Sequence, residues 1–375
     1  GIDYTLPFTP SIFTVEDILT VSSSENADPI LLKTQKTFGV AATGYTLTEG
    51  GNLFTYRDNN VRYYDKNGIL KFEQTLPGSV RSIAAMDVNH DDTLLATGYD
   101  DKNIKVMNAE GKLLWETVVE RQPTMLCGWE TKHPKVFSLC LVKIGQSYRL
   151  FAGCGDNHVK LYDDKGAILN TIFADYRIVD HLIASDYDQD GNMEVLAYAS
   201  DEASSGNFYL YDDSLNVKYK ASGGGWLYTV KDIAVAHINE KSYFAVGVNT
   251  NQTLSVFELS DGKLNRVYAK DMAGAITATC IDPINKIVYA GSDKGYVKAF
   301  DLTGEEFASC YVNMPVYRLT IHSGHLYAAS GSEVKRVDLQ LNLTGCVQLP
   351  SKLIGWEKRE NQLILVCETG IYTVD

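Results

Sequence analysis

One phrase constrains this chain more than any other. Cys154-Gly155-Asp156-Asn157-His158-Val159-Lys160-Leu161-Tyr162-Asp163-Asp164-Lys165-Gly166 reads as a polar turn, a short strand ending in an aromatic and an aspartate, and a second turn closed by glycine. The phrase returns at Gly98-Tyr99-Asp100-Asp101-Lys102-Asn103-Ile104-Lys105-Val106-Met107-Asn108 and at Gly291-Ser292-Asp293-Lys294-Gly295-Tyr296-Val297-Lys298-Ala299-Phe300-Asp301. Self-similarity at roughly forty residues marks a repeat architecture, here with strands inside each unit.

An anchor at the end of the third strand can be followed through the chain as Asp65, Asn108, Asp163, Asp212, Glu258, Asp301, Asp338 and Asp375, with steps of 43, 55, 49, 46, 43, 37 and 37 residues. The first unit is expected to hold strands at Phe38–Thr43, Asn52–Arg57, Val61–Asp65 and Ile69–Thr75, separated by Gly50-Gly51 and Lys66-Asn67-Gly68 turns. The last unit supplies only Leu353–Trp356, Leu363–Cys367 and Ile371–Val374. A bare sheet edge invites aggregation, so a strand near Ile30–Lys33 is expected to fill the gap and close a ring. Residues 1–28 then form an irregular extension, and 29–375 one domain.

The repeated Gly-x-x-Asp-x-x-Ile/Val-Lys-x-aromatic-Asp phrase resembles the β-propeller superfamily, in particular its WD40-like and quinoprotein-like members. The resemblance implies an all-β chain folded as a single propeller of four-stranded blades; the anchors fit eight of them best, with seven as the alternative if the first or last unit is incomplete. The Trp-Asp ending of WD40 repeats appears here as Tyr162-Asp163, Tyr211-Asp212 and Phe300-Asp301, and their Gly-His pair is absent, so WD40 functions do not carry over.

A net charge of −13 gives no overall basic field for nucleic acid. No apolar run is long enough to span a membrane, and no charged-then-apolar leader opens the chain. Seven cysteines without a CxxC pair read as small buried hydrophobes rather than zinc ligands. A monomer is expected.

In the fourth unit, Asp186-Tyr187-Asp188-Gln189-Asp190-Gly191-Asn192-Met193-Glu194 spaces Asp186, Asp188, Asp190 and Glu194 around a glycine turn. Such a set of hard oxygens suits calcium, which takes six to eight at about 2.4 Å. The loop is similar to the calcium loops of FG-GAP propeller repeats, which implies a structural calcium and an extracytoplasmic compartment. A counterpart at Asp87–Leu95 has Leu95 where the last ligand belongs, and is expected to be turn chemistry alone.

The first strand of a blade should line the channel. It repeatedly reads apolar-polar-polar-apolar: Val80-Arg81-Ser82-Ile83, Val179-Asp180-His181-Leu182, Val230-Lys231-Asp232-Ile233 and Val316-Tyr317-Arg318-Leu319. Buried charge needs a partner or a ligand. Arg81, Arg177, Asp180, Lys231, Trp226 and Tyr228 are therefore candidate ligand contacts, for an anionic glycan or a protein partner. The competing expectation is that these charges neutralise one another. A third is catalysis: His181, Tyr317 and Arg318 are the residue types that a polysaccharide lyase or glycosidase would use at such a mouth.

Overall fold

A computed structural model describes residues 28–89, 92–122, 125–126, 129–130, 134–174, 178–200, 206–222, 229–249, 252–359 and 362–374. Eight blades follow one another around a ring. Blades 1 to 4 run from Gly44–Leu47 to Leu70–Thr75, Val80–Asp87 to Leu113–Val118, Val136–Ile144 to Ile168–Phe173, and His181–Ser185 to Val217–Ser222. Blades 5 to 7 run from Val230–Ile238 to Lys263–Asp271, Ile276–Asp282 to Glu306–Tyr311, and Arg318–His322 to Leu343–Gln348. Blade 8 comprises Leu353–Arg359, Gln362–Cys367 and Gly370–Val374, and takes its outer strand from Lys33–Thr37.

The anchor residues explain why each blade turns where it does. Asp163 Oδ1 accepts the backbone N–H groups of Lys165 and Ala167 at 2.9 and 2.8 Å, which ties off the hairpin between third and fourth strands. Asp65, Asn108, Asp212, Asp301 and Asp338 do the same two and four residues on. Glu258 departs from the pattern because its hairpin closes differently, through Asp261 and Gly262 at φ 51° and 68°. Those values suit a tight two-residue turn that needs no side-chain cap.

The core lies between blades rather than inside one. Val106 and Ala96 of blade 2 pack with Val136 and Ala152 of blade 3, and Phe151 and Leu161 of blade 3 pack with Val195 and Tyr211 of blade 4. Glycine makes this approach possible. A Cβ at Gly98 would strike Val136, and one at Gly153 would strike the carbonyl of Val179, so the next blade's first strand packs directly against backbone.

Two expectations need correction in detail. The ring is closed as expected, but Lys33–Thr37 pairs antiparallel with Gly370–Val374, a few residues beyond Ile30–Lys33. Ile30 and Leu32 instead bury their side chains between blades 7 and 8, and Asp28–Pro29 runs parallel to the outer strand of blade 7. Phe38–Thr43 is not a strand of blade 1 but its link to blade 8: Phe38 and Ala42 donate to the carbonyls of Thr369 and Glu368 at 2.8 and 2.7 Å. The long step of 55 residues into blade 3 reflects a connection over 119–135 that carries a minimal hairpin, Met125–Leu126 with Trp129–Glu130.

Candidate functional site

The first strands of blades 1 to 4, of blades 5 to 7, and of blades 8 and 1 lie against one another and line the channel. In five blades the first strand carries a β-bulge near its start, and the extra residue is Arg81, Phe137, Lys231, Thr277 or Ile354. A bulge re-aims the side chain it skips, and three of these residues, Arg81, Phe137 and Ile354, converge on one end of the channel. There a cavity of about 310 Å³ is lined by Tyr45, Arg81, Phe137, Asp180, His181 and Ile354 among others.

Most of the charge at this end is already engaged. Arg81 Nε lies 2.5 Å from Asp100 Oδ1, and its guanidinium covers the Phe137 ring at 4.5 Å. Burial works against the Asp100 charge, but the hydrogen bond from Arg81 and the charges of Arg81 and Lys135 outweigh it and hold the carboxyl below its ordinary range. Asp180 accepts from Ser200 N at 2.8 Å, from Ser200 Oγ at 2.7 Å and from His181 Nδ1 at 2.9 Å. Burial raises the Asp180 pKa, yet these bonds dominate and the net shift is downward. The His181 ring stacks on Tyr198 at 4.4 Å. Asp232 accepts from Thr279 N and Oγ1 at 2.7 and 3.0 Å, but burial wins and pushes its carboxyl up.

Two cations differ. Lys231 Nζ donates to the Ser200 carbonyl at 2.6 Å and Arg318 Nη2 to the Ile354 carbonyl at 2.7 Å. Tyr317, beside Arg318, is 55% exposed. The expected catalytic trio is not assembled: His181 sits on blade 4, Tyr317 and Arg318 at blade 7, and no hydrogen bond or ion pair joins them. Neither Tyr317 nor Arg318 lines the cavity that His181 faces. Arg177, Trp226 and Tyr228 lie outside the described residues. Sequence reasoning missed Phe137, although Val136-Phe137-Ser138-Leu139 repeats the pattern of Val80-Arg81-Ser82-Ile83 and signalled it. Tyr45 and Tyr198 carried no such signal.

The acidic loop joins the first and second strands of blade 4. Asp186, Asp188 and Glu194 each bring a carboxylate oxygen within 4.8 Å of the others, the diameter of a calcium coordination sphere of about 2.4 Å radius. Asp190 stands outside that trio and caps the turn instead, accepting Asn192 N at 2.8 Å. The Oδ1 of Asp188 is buried without a partner, which fits an all-oxygen cation site. Lys218, on the outer strand, places its Nζ 2.7 Å from Asp188, 2.7 Å from Asp190 and 2.8 Å from Glu194. Burial raises the Glu194 carboxyl above its ordinary range, against the pull of Lys218. In the blade 2 counterpart, Asp87 receives Gly50 N and Asn52 Nδ2 from blade 1 at 2.7 and 3.0 Å, while His90 and Asp91 lie outside the described residues.

A closed ring of eight antiparallel blades around a side-chain-lined channel defines the class: this is a β-propeller. Residues 70–108, from the outer strand of blade 1 through the third strand of blade 2, match the WD domain, G-beta repeat family. No curated protein matches the chain. Among the solved structures that share its fold are the following three. BamB from Moraxella catarrhalis is 12% identical at a TM-score of 0.66, covering 92% of this chain and 99% of that one. Saccharomyces cerevisiae Sqt1 is 13% identical at 0.65, covering 94% and 99%. The C-terminal WD40 domain of Sif2 is 14% identical at 0.65, covering 93% and 99%. Likeness at this identity is a likeness of fold. Among the described residues no helix is long and apolar enough to cross a membrane.

Proposed function

We propose that this propeller is a binding module that takes an anionic ligand at the bulged end of its channel. One observation carries the reading. Lys231 and Arg318 direct hydrogen bonds to backbone carbonyls, and among the described residues no carboxylate pairs with either. In a chain of net charge −13, channel cations that form no ion pair, with Arg318 acting on the Asp232 carboxylate only at longer range, are places for an acidic group. A guanidinium has five N–H donors, so Arg318 keeps a fork for carboxylate or sulfate after bonding Ile354. The exposed Tyr317 ring offers a stacking face to a sugar. An anionic glycan bearing uronate supplies both chemistries, and an acidic segment of a protein partner supplies the first.

The same reading makes the Asp186–Glu194 loop a calcium staple of blade 4 and places a monomeric chain outside the cytoplasm. Extracellular calcium sites work at about 10⁻⁴–10⁻³ M, a range a site with an internal competitor can still meet.

The test is titration of the purified protein with a uronate oligosaccharide, its neutral analogue and an acidic peptide, at low and high salt. Arg318→Ala is expected to weaken uronate binding about tenfold or more, the effect of one charged hydrogen bond of about 1.5–3 kcal/mol. Wild-type affinity is expected to fall with salt. Equal binding of the neutral analogue, or an unchanged Arg318→Ala variant, refutes the site. Tight binding of the peptide alone assigns the mouth to a protein partner.

A second reading has its own observation. Asp180 orients His181 through Nδ1, leaving Nε2 as the nitrogen able to take a proton, and Arg81 lines the same cavity. A lyase would release an unsaturated product whose absorbance is lost in His181→Ala. Binding without that absorbance leaves the non-catalytic module.

A further inference from the structure

The acidic loop and the lysine that fills it come from different parts of blade 4. The carboxylates sit between first and second strands, and Lys218 lies on the fourth. Lys218 reaches them because the outer strand bulges there: Leu210 pairs with Tyr219 and Tyr211 with Val217, which leaves Lys218 as the extra residue. The outer strand of every blade bulges likewise, and the extra residues elsewhere include Leu114, Leu169, Val267 and Phe307. Those four are apolar side chains about half exposed at the rim, while blade 1 has Lys71 there, 3.9 Å from the single carboxylate of Asp65. In blade 4 the same backbone feature carries an ammonium into a ring of carboxylates.

We propose that Lys218 is a built-in counter-ion for the Asp186–Glu194 loop, which a divalent cation with calcium's preference for oxygen must displace to bind. The inference rests on the reading of the loop as a cation site. Three carboxylates (Asp188, Asp190 and Glu194) contact one ammonium and a fourth, Asp186, adjoins two of them, so Lys218 leaves the cage under-neutralised. The side chain of Asp188 is 10% exposed, and its Oδ1 has no partner although Oδ2 bonds both Lys218 and Tyr219. An ammonium presents three N–H donors and cannot serve a fourth oxygen, whereas calcium accepts six to eight. The oxygens of Asp186, Asp188 and Glu194 already have the separation of a calcium shell. Lys218 is 27% exposed, so its exit to water is short. It leaves as an ammonium, and the exchange releases no proton. Loaded with the ion, the outer strand of blade 4 loses its tie to the loop through Lys218, and the metal links first and second strands instead.

Terbium, followed by emission sensitised through Tyr219, and calcium, followed by its displacement of terbium, are the probes. The hydroxyl of Tyr219 is 2.9 Å from Asp188 Oδ2, within sensitising range of a bound ion. A conformer with lysine in the cage does not bind metal, so removing it lifts a competent-fraction penalty. Lys218→Met is expected to tighten calcium binding about tenfold or more on that ground. Lys218→Gln is the second variant if the Met form folds poorly, and Asp188→Ala should abolish emission in every background. Calcium binding by the variant but not by wild type also supports the exchange, while overturning calcium as a staple of the native chain. Equal affinities in wild type and both variants overturn the exchange and leave the calcium reading standing. Emission in none of them overturns both.

Discussion

Asp156→Ala tests how the repeated lysine behaves when its surroundings change. Asp156 and Lys160 are both 0% exposed, and Lys160 Nζ lies 2.6 Å from Asp156 Oδ2 and 2.5 Å from the Glu120 carbonyl. Asp156 also receives Gln122 N at 3.0 Å, so the pair ties blade 3 to the connection arriving from blade 2. Deleting the carboxylate leaves an ammonium buried with one carbonyl for company. Breaking a buried pair on one side costs about 3–5 kcal/mol, a large part of a domain's total of about 5–15 kcal/mol. At about 2.1 cal/mol/K per residue, the 375-residue chain loses about 1.3 °C of melting temperature per kcal/mol, so about 5 °C is expected. The comparison is internal to the repeat. Lys105 occupies the same place in blade 2 and pairs with Glu116 at 2.9 Å, but the Glu116 side chain is 57% exposed. Glu116→Ala should cost about 0–1 kcal/mol, because solvent screens that pair. Asp156→Ala with Lys160→Met should regain most of the loss, since a buried pair replaced on both sides by apolar groups is close to neutral. Calorimetric melting of the four proteins decides it. Equal shifts for Asp156→Ala and Glu116→Ala, or a double variant no better than Asp156→Ala, would refute the burial argument.

Removing residues 1–37 strips the outer strand from blade 8 and uncovers the pocket that Ile30 and Leu32 fill at 3% and 5% exposure. Burial of those two alone is worth about 3–6 kcal/mol, so a clear drop in melting temperature or association through the bared Gly370–Val374 edge is expected. An unchanged melting curve would overturn the closure. Leu215 sits at φ 65° in a turn position where blades 1, 2, 3 and 6 use Gly68, Gly111, Gly166 and Gly304, yet it is 1% exposed in the core between blades 3 and 4. Left-handed backbone costs a leucine about 1–2 kcal/mol, and losing a buried leucine side chain costs about 2–5 kcal/mol. Leu215→Gly is therefore expected to destabilise on balance, and a rise in melting temperature would show that strain dominates there.

What the sequence alone determined here is whatever a residue settles with its near neighbours. The anchors at Asp65, Asn108, Asp163, Asp212, Asp301 and Asp338 were legible because each carboxylate or amide bonds backbone two and four residues away. Their regular return carried the ring, and the short last unit carried its closure. The acidic loop was legible for the same reason, since Asp186 accepts Asp190 N and Gly191 N within one turn. The tertiary structure alone decided what those groups face. Strand pairing and a one-residue bulge bring Lys218 to Glu194 from 24 positions away. Bulges in different blades set Arg81 over Phe137, and packing against blade 8 points Arg318 at Ile354. Electrostatic partnership depends on distance in space and on burial, and a chain that closes into a ring sets both through contacts that no local spacing encodes.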